Sequence, residues 1–279
     1  LQLQRHYHLR HGRGDGLKVL AFMTAGDLMA NTPVEFLLEG SDVDLWMVYV
    51  DAQTPDLLNV PEHDVAFVAV AESESNRAVL GHLKHLLSGW NGPILNGAPE
   101  RIAALTRDGV SRMFAREPSI VAPAAVRTDR KTLQLLADGL IELSMLLPLA
   151  AFPIIVRPVG SHAGHGMEKI GNCSELAIYV RDRTQHHFYL APFVQYGGAD
   201  GLYRKQRIAF INGRAYASHW ATSEIWMVHY LSAGMTENAA RRAEEESWMR
   251  DFDSDFAVRH AVAFDALCRH VGLDYFAID

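Results

Sequence analysis

An arginine directly before a glycine-rich loop is the feature of this sequence with the clearest chemistry. In the run PIIVRPVGSHAGHGMEKI, residues 153–170, an apolar strand delivers Arg157 into the loop. The loop contains four small residues, Gly160, Ser161, Gly164 and Gly166. Glycines let backbone N–H groups surround an anion, and a guanidinium adds charge-assisted hydrogen bonds to phosphate oxygens. This combination indicates a nucleotide triphosphate site. A loop that only makes tight turns is the alternative, and the Gly-Lys-Ser/Thr of a P-loop does not follow.

Two further cations share one predicted strand. Lys205 and Arg207 lie two residues apart in YRKQRIAF, residues 203–210. Because strand side chains alternate between the two faces of a sheet, both cations point to the same side. Such a pair can neutralise a phosphate or hold a carboxylate, whereas an exposed strand face that simply carries charge is the alternative. The sequence shows no Ser/His/Asp or Cys/His constellation for nucleophilic catalysis.

The elements that must position these residues fall into two parts. In residues 17–97, short apolar runs rich in β-forming residues alternate with segments that suit helices, which is typical of a parallel sheet covered on both faces. The predicted strands are 17–23, 44–50, 65–70 and 92–96, and the predicted helices are 32–39 and 75–87. We therefore expect a doubly wound α/β domain, and its first strand lacks the Gly-x-Gly-x-x-Gly of a dinucleotide site.

From residue 98 the pattern changes to helices and paired strands. Helices are predicted at 99–114, 132–147, 237–249 and 256–271, and strands at 152–156, 188–194, 206–211, 215–220 and 275–279. Asn212-Gly213, between two of these strands, is a strong hairpin signal. Antiparallel sheets flanked by helices after a doubly wound domain make the fold class α+β. Residues 1–16 lack periodicity and are predicted to be a flexible tail or linker.

Composition narrows the classes of function. The 279 residues include 26 Lys and Arg against 33 Asp and Glu, a net charge of −7, which argues against a nucleic-acid partner that needs a basic face. No apolar run approaches the roughly 20 residues that span a bilayer, so no membrane partner is expected. The only cysteines are Cys173 and Cys268, and no signal peptide is evident, which together predict a cytoplasmic protein.

The order of these features resembles the ATP-grasp superfamily, in the branch of glutathione synthetase and of the enzymes that modify ribosomal protein S6. The shared order is a doubly wound domain, a strand with a cation and a glycine loop, an apolar strand entering a hinge, a basic strand with a hairpin, two helices, and a strand ending in Asp. The resemblance covers residues 17–279. It implies a Rossmann-like pre-ATP-grasp domain at 17–97 and an ATP-grasp domain at 98–279 that is C-terminally incomplete.

The resemblance implies nucleotide-binding roles for part of the second domain. Arg157 stands where the family has a lysine on the strand before its glycine loop, and Gly160–Gly166 resembles the mobile loop that closes over the triphosphate. The hinge whose backbone binds adenine is matched by Pro192, Phe193 and Val194. Gln195 stands where an acidic residue usually holds the ribose, and Arg112 is the candidate for a phosphate contact in the helix after the first domain.

The remaining positions concern the transferred phosphoryl group. Lys205 and Arg207 resemble the strand that contacts the γ-phosphate or an acyl-phosphate, and with Arg157 they are the residues expected to act in catalysis. Asp279 matches the family's first Mg²⁺ ligand, and the Glu and Asn ligands of the family would lie beyond it. A single carboxylate is a poor Mg²⁺ site, so we expect either a fragment or a degenerate, non-catalytic member, and favour the fragment.

The function implied is an ATP-dependent carboxylate–amine ligase. It would form an amide or peptide bond through an acyl-phosphate and release ADP and phosphate, with ATP and Mg²⁺ as cofactors and a small-molecule or peptide carboxylate and amine as substrates. Homo-oligomerisation and membership of a larger multidomain chain both stay open. The alternatives are a nucleotide-binding pseudo-enzyme or regulatory module of a larger protein, and an enzyme of the same fold that transfers phosphate to a small molecule without ligation.

Overall fold

The computed structural model describes residues 4–13, 15–162 and 164–279, and these residues divide into two compact units. The first unit comprises the chain up to Thr106 together with Val271–Tyr275, and the second comprises Arg107–His270 together with Phe276–Asp279. The sequence places the domain boundary earlier, after residue 97.

The first unit is built on a five-stranded sheet. Its strands are β1 (His6–Arg10), β2 (Lys18–Met23), β3 (Asp44–Tyr49), β4 (Val65–Val68) and β5 (Ile94–Leu95), in the spatial order β1-β3-β2-β4-β5. Strands β3, β2, β4 and β5 are parallel, and β1 is antiparallel to β3. The helices of this unit are α1 (Val34–Leu37), α2 (Arg77–Leu86) and α3 (Pro99–Ala103). This order is doubly wound, as the sequence predicts.

Both faces of the parallel sheet are buried, which explains why its strands are apolar without alternation. On one face, Leu20 and Phe22 pack with Leu80 and Leu83 of α2. On the other face, the alternate β2 residues Val19, Ala21 and Met23 pack with Val34 of α1. Burial on both sides removes the requirement for polar residues at every second position.

Residues 6–10 correct the prediction of a flexible tail. They form β1, in which His6 pairs with Val48 and Arg10 pairs with Asp44. The sequence of β1 is HYHLR and its side chains are mostly exposed, because an antiparallel edge strand needs no apolar face to pair through its backbone. The predicted tail also includes residues 1–3 and 14, which lie outside the described residues.

The second unit contains a four-stranded antiparallel sheet and its helices. The strands are β6 (Val126–Asp129), β7 (Ile154–Pro158), β8 (Glu168–Ile170) and β9 (His187–Pro192), in the spatial order β6-β9-β7-β8. The helices that precede or join them are α4 (Arg107–Phe114), α5 (Arg130–Ala137) and α6 (Cys173–Arg181). Ile154, Val156 and Leu190 are fully buried against apolar side chains of α5 and α6. The core therefore occupies one face of this sheet.

A three-stranded sheet completes the second unit. Its strands are β10 (Tyr203–Ile211), β11 (Arg214–Ser223) and β12 (Tyr275–Ile278), in the order β11-β10-β12. The helices nearby in sequence are α7 (Ala239–Asp251), α8 (Ala257–Arg259) and α9 (Ala261–Val271), with a π-helical turn at Phe252–Phe256. Strands β10 and β11 form the hairpin predicted from Asn212-Gly213. The buried ring of Phe210 stacks on Phe276 and meets Phe264 edge-on, so one face of the sheet is apolar.

Several predicted helices are shorter or divided in the structure. The helix expected at 132–147 ends at Ala137, because Gly139 adopts a left-handed φ of 69° that L-residues avoid. The N–H of Gly139 donates to Leu136 and that of Leu140 donates to Leu135, which closes the helix end as a Schellman motif. The helix expected at 99–114 is divided into α3 and α4. No helix in the described part of the chain is long and apolar enough to cross a membrane.

Candidate functional site

Arg157 lies on the face of the four-stranded sheet that points away from the core. Its neighbours Ile154 and Val156 are fully buried in the core, so Ile155 and Arg157 point to the opposite face. The guanidinium is half-buried. Burial, followed by the positive charge of Arg107, lowers the pKa of Arg157 to about 10. No Asp or Glu among the described residues forms an ion pair with Arg157, so its charge is stabilised by hydrogen bonds alone.

Those hydrogen bonds are made with Ser161 at the start of the loop. The Nε and Nη2 groups of Arg157 donate to the Ser161 hydroxyl over 3.2 and 3.1 Å, and Nη2 also donates to the Ser161 carbonyl. The hydroxyl in turn donates to the carbonyl of Pro158 over 2.8 Å. These hydrogen bonds therefore connect the strand cation directly to the loop that is predicted to bind phosphate.

The glycine loop is packed against a later segment of the same unit. Gly160, Gly164 and Gly166 all have positive φ angles. A Cβ at Gly164 would lie 2.9 Å from both Met227 Sδ and His229 Nε2, closer than van der Waals contact permits. Glycine is thus required at Gly164 by both its backbone conformation and its surroundings. The loop includes residue 163, which lies outside the described residues.

The predicted hinge follows β9 and has a restricted set of backbone donors. Pro192 has no N–H, and the N–H of Phe193 donates to the carbonyl of Pro153 over 3.0 Å. No acceptor among the described residues takes the N–H of Val194, whose side chain is exposed. The side-chain amide of Gln195 hydrogen-bonds to the hydroxyl of Tyr203 over 3.1 Å, which links the hinge to the start of β10. A single backbone donor therefore remains at this hinge.

Lys169 of β8 is a site residue that sequence reasoning missed. It pairs with Ile155, and cross-strand neighbours share a face, so its side chain lies on the same face as Arg157. Its ammonium nitrogen lies 3.7 Å from the centroid of the Phe193 ring. Trp226 meets that ring edge-on at 5.6 Å. The alternation of side chains along the strand after the glycine loop is the signal that could have identified Lys169, because it places Lys169 on the face opposite the buried Ile170.

The two cations of β10 lie together, as predicted, and both contact Asp279. Arg207 binds the carboxylate through two hydrogen bonds of 2.7 and 2.9 Å, and the Lys205 ammonium is 3.6 Å from Oδ2. Burial would raise the pKa of Asp279, but these cations outweigh it and hold the pKa below its usual value. His219, opposite Arg207 on β11, was missed by sequence reasoning. Burial, and then the charge of Arg207, lower the pKa of His219.

The described residues do not fit a magnesium site. Both oxygens of Asp279, the predicted ligand, accept hydrogen bonds from Arg207. Across residues 4–13, 15–162 and 164–279, no group of three or more His, Cys, Asp or Glu side chains could hold a metal ion. Magnesium requires near-octahedral oxygen coordination, and a lone carboxylate already bound to a guanidinium does not provide it.

Arg112 pairs with a carboxylate of its own helix. Its Nη1 donates to Asp108 over 2.7 Å, one helical turn earlier, and its side chain is 71% exposed. Arg107, at the start of the same helix, is the arginine whose charge reaches Arg157. The role predicted for Arg112 stays a prediction, and Arg107 is a further cation of this helix that the sequence analysis does not name.

Comparison with known proteins gives a structural likeness only. No protein-family model and no curated protein matches the sequence. The D-alanine–D-alanine ligase of Bacillus anthracis, complexed with ATP, matches with a TM-score of 0.53 and 11% identity, over 95% of this chain and 80% of that one. The D-alanyl-alanine synthetase A of Vibrio cholerae O1 biovar eltor matches with a TM-score of 0.50 and 11% identity, over 94% of this chain and 83% of that one.

A RimK-domain ATP-grasp protein of Sphaerobacter thermophilus also matches, with a TM-score of 0.47 and 11% identity, over 93% of this chain and 84% of that one. At these identities a likeness establishes the fold and leaves the activity open. The chain therefore has the ATP-grasp fold that the order of its sequence motifs predicts.

Proposed function

We propose that this protein is an ATP-dependent ligase that joins a carboxylate to an amine and releases ADP and phosphate. The ATP-grasp fold supports this at a general level, since two similar structures are ligases and one was determined with ATP. The proposed substrates are a small-molecule or peptide carboxylate and an amine. The hinge at Phe193 and Val194 would take the adenine, and the glycine loop would take the triphosphate.

The observation that carries the proposal is the environment of Arg157. A half-buried guanidinium whose pKa has fallen to about 10 has lost hydration that no described carboxylate replaces. A second arginine, Arg107, adds positive charge nearby. Two cations close together repel each other, and a polyanion at this point would offset that repulsion. A triphosphate beside the glycine loop meets this requirement.

The chemistry asked of the chain is positioning and charge neutralisation. A carboxylate oxygen attacks the γ-phosphorus, the bond from that phosphorus to the bridging oxygen breaks, and ADP leaves with the electron pair. The amine nitrogen then attacks the acyl carbon, the bond from carbon to the phosphate oxygen breaks, and the nitrogen loses a proton. Arg157, Lys205 and Arg207 would stabilise the charge on the transferred phosphoryl group through preorganised hydrogen bonds.

The test is ADP release measured with a panel of amino acids, peptides and other carboxylic acids. We expect ATP to bind, and at least one carboxylate and amine pair to raise the rate of ADP release above the rate with ATP alone. Arg157→Gln should abolish that increase, whereas Arg116→Gln, at an exposed arginine, should not. No ATP binding by the folded wild-type protein would contradict the proposal.

A second candidate, a nucleotide-binding module without turnover, is favoured by one observation. Asp279 is bound to Arg207 and Lys205, and the described residues do not fit a magnesium site. ATP binding that is lost in Arg157→Gln, without ADP release for any substrate in the panel, would support this candidate over the ligase. A stable phosphorylated product without an amide would instead indicate phosphate transfer to a small molecule.

A further inference from the structure

Lys169 has an unusual position for a lysine beside a nucleotide site. Its ammonium lies 3.7 Å from the centroid of the Phe193 ring, which is a close cation–π contact. No carboxylate of the described residues pairs with Lys169. The adjacent Glu168 has the opposite strand parity and pairs with Arg183. Among the described residues, the aromatic ring of Phe193 is therefore the partner of Lys169.

This contact occupies a surface that a nucleotide base would use. Phe193 belongs to the hinge, and an aromatic ring at a hinge is a stacking surface for a purine. An ammonium at 3.7 Å covers one face of that ring, so a base and the ammonium would compete for this face. A cation–π contact at an exposed site stabilises by about 0.5–1 kcal/mol, which corresponds to about a two- to fivefold effect on an equilibrium constant.

A phosphate near Arg157 is within reach of the same ammonium. Lys169 pairs with Ile155 across β7 and β8, and Arg157 lies two residues further along β7 on the same face. Diagonal neighbours of this kind are about 7–8 Å apart at the backbone, and a lysine side chain has four carbons with which to cover that distance. One side chain can thus reach either the hinge ring or a phosphate beside Arg157.

We propose that Lys169 changes partners when a nucleotide binds: its ammonium leaves the Phe193 ring, which then stacks against the base, and moves to a phosphate held beside Arg157. The inference rests on the proposed function, because it requires a nucleotide in this site. Lys169 then favours ligands that carry phosphates in two ways. Its ammonium donates a charge-assisted hydrogen bond to the phosphate. In the presence of a ligand without phosphate, the ammonium stays on the Phe193 ring and blocks stacking of the base.

The two effects predict changes of opposite sign when the ammonium is removed. In Lys169→Ala, the dissociation constant of ATP should rise about tenfold, as expected for a lost hydrogen bond between charged groups. The dissociation constant of adenosine should fall about two- to fivefold, because the ring becomes free to stack. Lys169→Arg should keep the ATP affinity near the wild-type value. A purely structural role would weaken both ligands together.

Isothermal titration calorimetry with ATP and adenosine tests the inference, with thermal unfolding to confirm that each variant is folded. Lys131→Ala, at an exposed lysine of α5, is the matched control and should change neither constant. Lys169→Gln replaces Lys169→Ala should the latter fail to fold. Opposite shifts support the inference, and equal shifts or no shift overturn it. The wild-type titration separates the two proposals, because absence of ATP binding there refutes the function itself.

Discussion

The two arginines at the candidate site have contrasting environments. Arg207 on the three-stranded sheet binds both oxygens of Asp279, with Lys205 also near that carboxylate. Among the described residues, Arg157 on the four-stranded sheet has the neutral Ser161 as its one hydrogen-bond partner, and its pKa is lowered to about 10. One cation is paired within the protein, whereas the other depends on neutral groups.

This difference indicates where the negative charge of a ligand would gain the most binding free energy. An anion that reaches Arg157 replaces hydrogen bonds to neutral groups and restores interactions lost on burial. An anion that reaches Arg207 must compete with a carboxylate already in place. We therefore expect the glycine-loop side of the site to contribute most of the affinity for a nucleotide, and the β10 side to contribute less.

Arg157→Gln is expected to have the largest effect on the affinity for ATP. The dissociation constant of ATP should rise about 10- to 100-fold, because a charge-assisted hydrogen bond contributes roughly 1.5–3 kcal/mol. Calorimetric titration measures the constant, and the exposed Arg116→Gln serves as the control. An ATP affinity within threefold of the wild type would show that Arg157 is not the main phosphate contact.

Asp279→Asn tests the β10 side of the site, where the two cations are paired with a carboxylate. Removing the negative charge frees Arg207 and Lys205 for a ligand, and we expect ATP to bind about fivefold more tightly in EDTA, a gain of roughly 1 kcal/mol. EDTA keeps divalent cations from contributing to the measurement. Weaker binding in the variant would mean that Asp279 organises these cations for the ligand and does not compete with it.

The pH dependence of stability should distinguish Asp279 from its amide. The pKa of Asp279 is lower in the folded protein than its ordinary value, so its stabilising contribution is present above about pH 4 and is lost as the pH falls further. We expect the wild type to exceed Asp279→Asn by less than about 1 kcal/mol at neutral pH, since the group is partly exposed. Urea unfolding from pH 7 to pH 3 should show this difference shrink as the pH falls below about 4.

Ser161→Ala should have the smallest effect. The Ser161 hydroxyl is already used by Arg157 and by the Pro158 carbonyl, and the Ser161 carbonyl remains to accept from Arg157 in the variant. We expect the dissociation constant of ATP to stay within about threefold of the wild type. A tenfold loss would assign Ser161 a direct contact with phosphate and would make the two sides of the site less different.

Much of the fold was predictable because buried apolar residues recur in the sequence in patterns typical of helices and strands. The parallel strands of the first unit and the Asn212-Gly213 hairpin were identified from local pattern alone. Strand β1 was not, because an edge strand held by backbone pairing carries polar residues that resemble a tail. The end of α5 was also missed, because apolar residues continue beyond Gly139 although the backbone there is left-handed.

The site was predictable to the extent that it depends on one strand or one loop. The proximity of Lys205 and Arg207 follows from their spacing, and the contact between Arg157 and Ser161 is also local. Asp279 as the partner of Arg207, Arg107 as a neighbour of Arg157, and Lys169 over Phe193 all join separate elements. Such contacts depend on tertiary packing, which leaves no pattern in the spacing of residues. The role of each predicted residue stays a prediction.

The backbone of the hinge also has a consequence for which base can be read. Pro192 lacks an N–H and the N–H of Phe193 donates to Pro153, so the N–H of Val194 is the one hinge donor that no acceptor among the described residues takes. One donor flanked by carbonyl acceptors is complementary to the edge of adenine, where the N1 acceptor adjoins the N6 amino donor. The corresponding edge of guanine offers O6 as an acceptor and N1–H as a donor, so each group would face its like. In the proposed nucleotide site, selection of ATP over GTP would therefore depend on three consecutive backbone positions and not on their side chains.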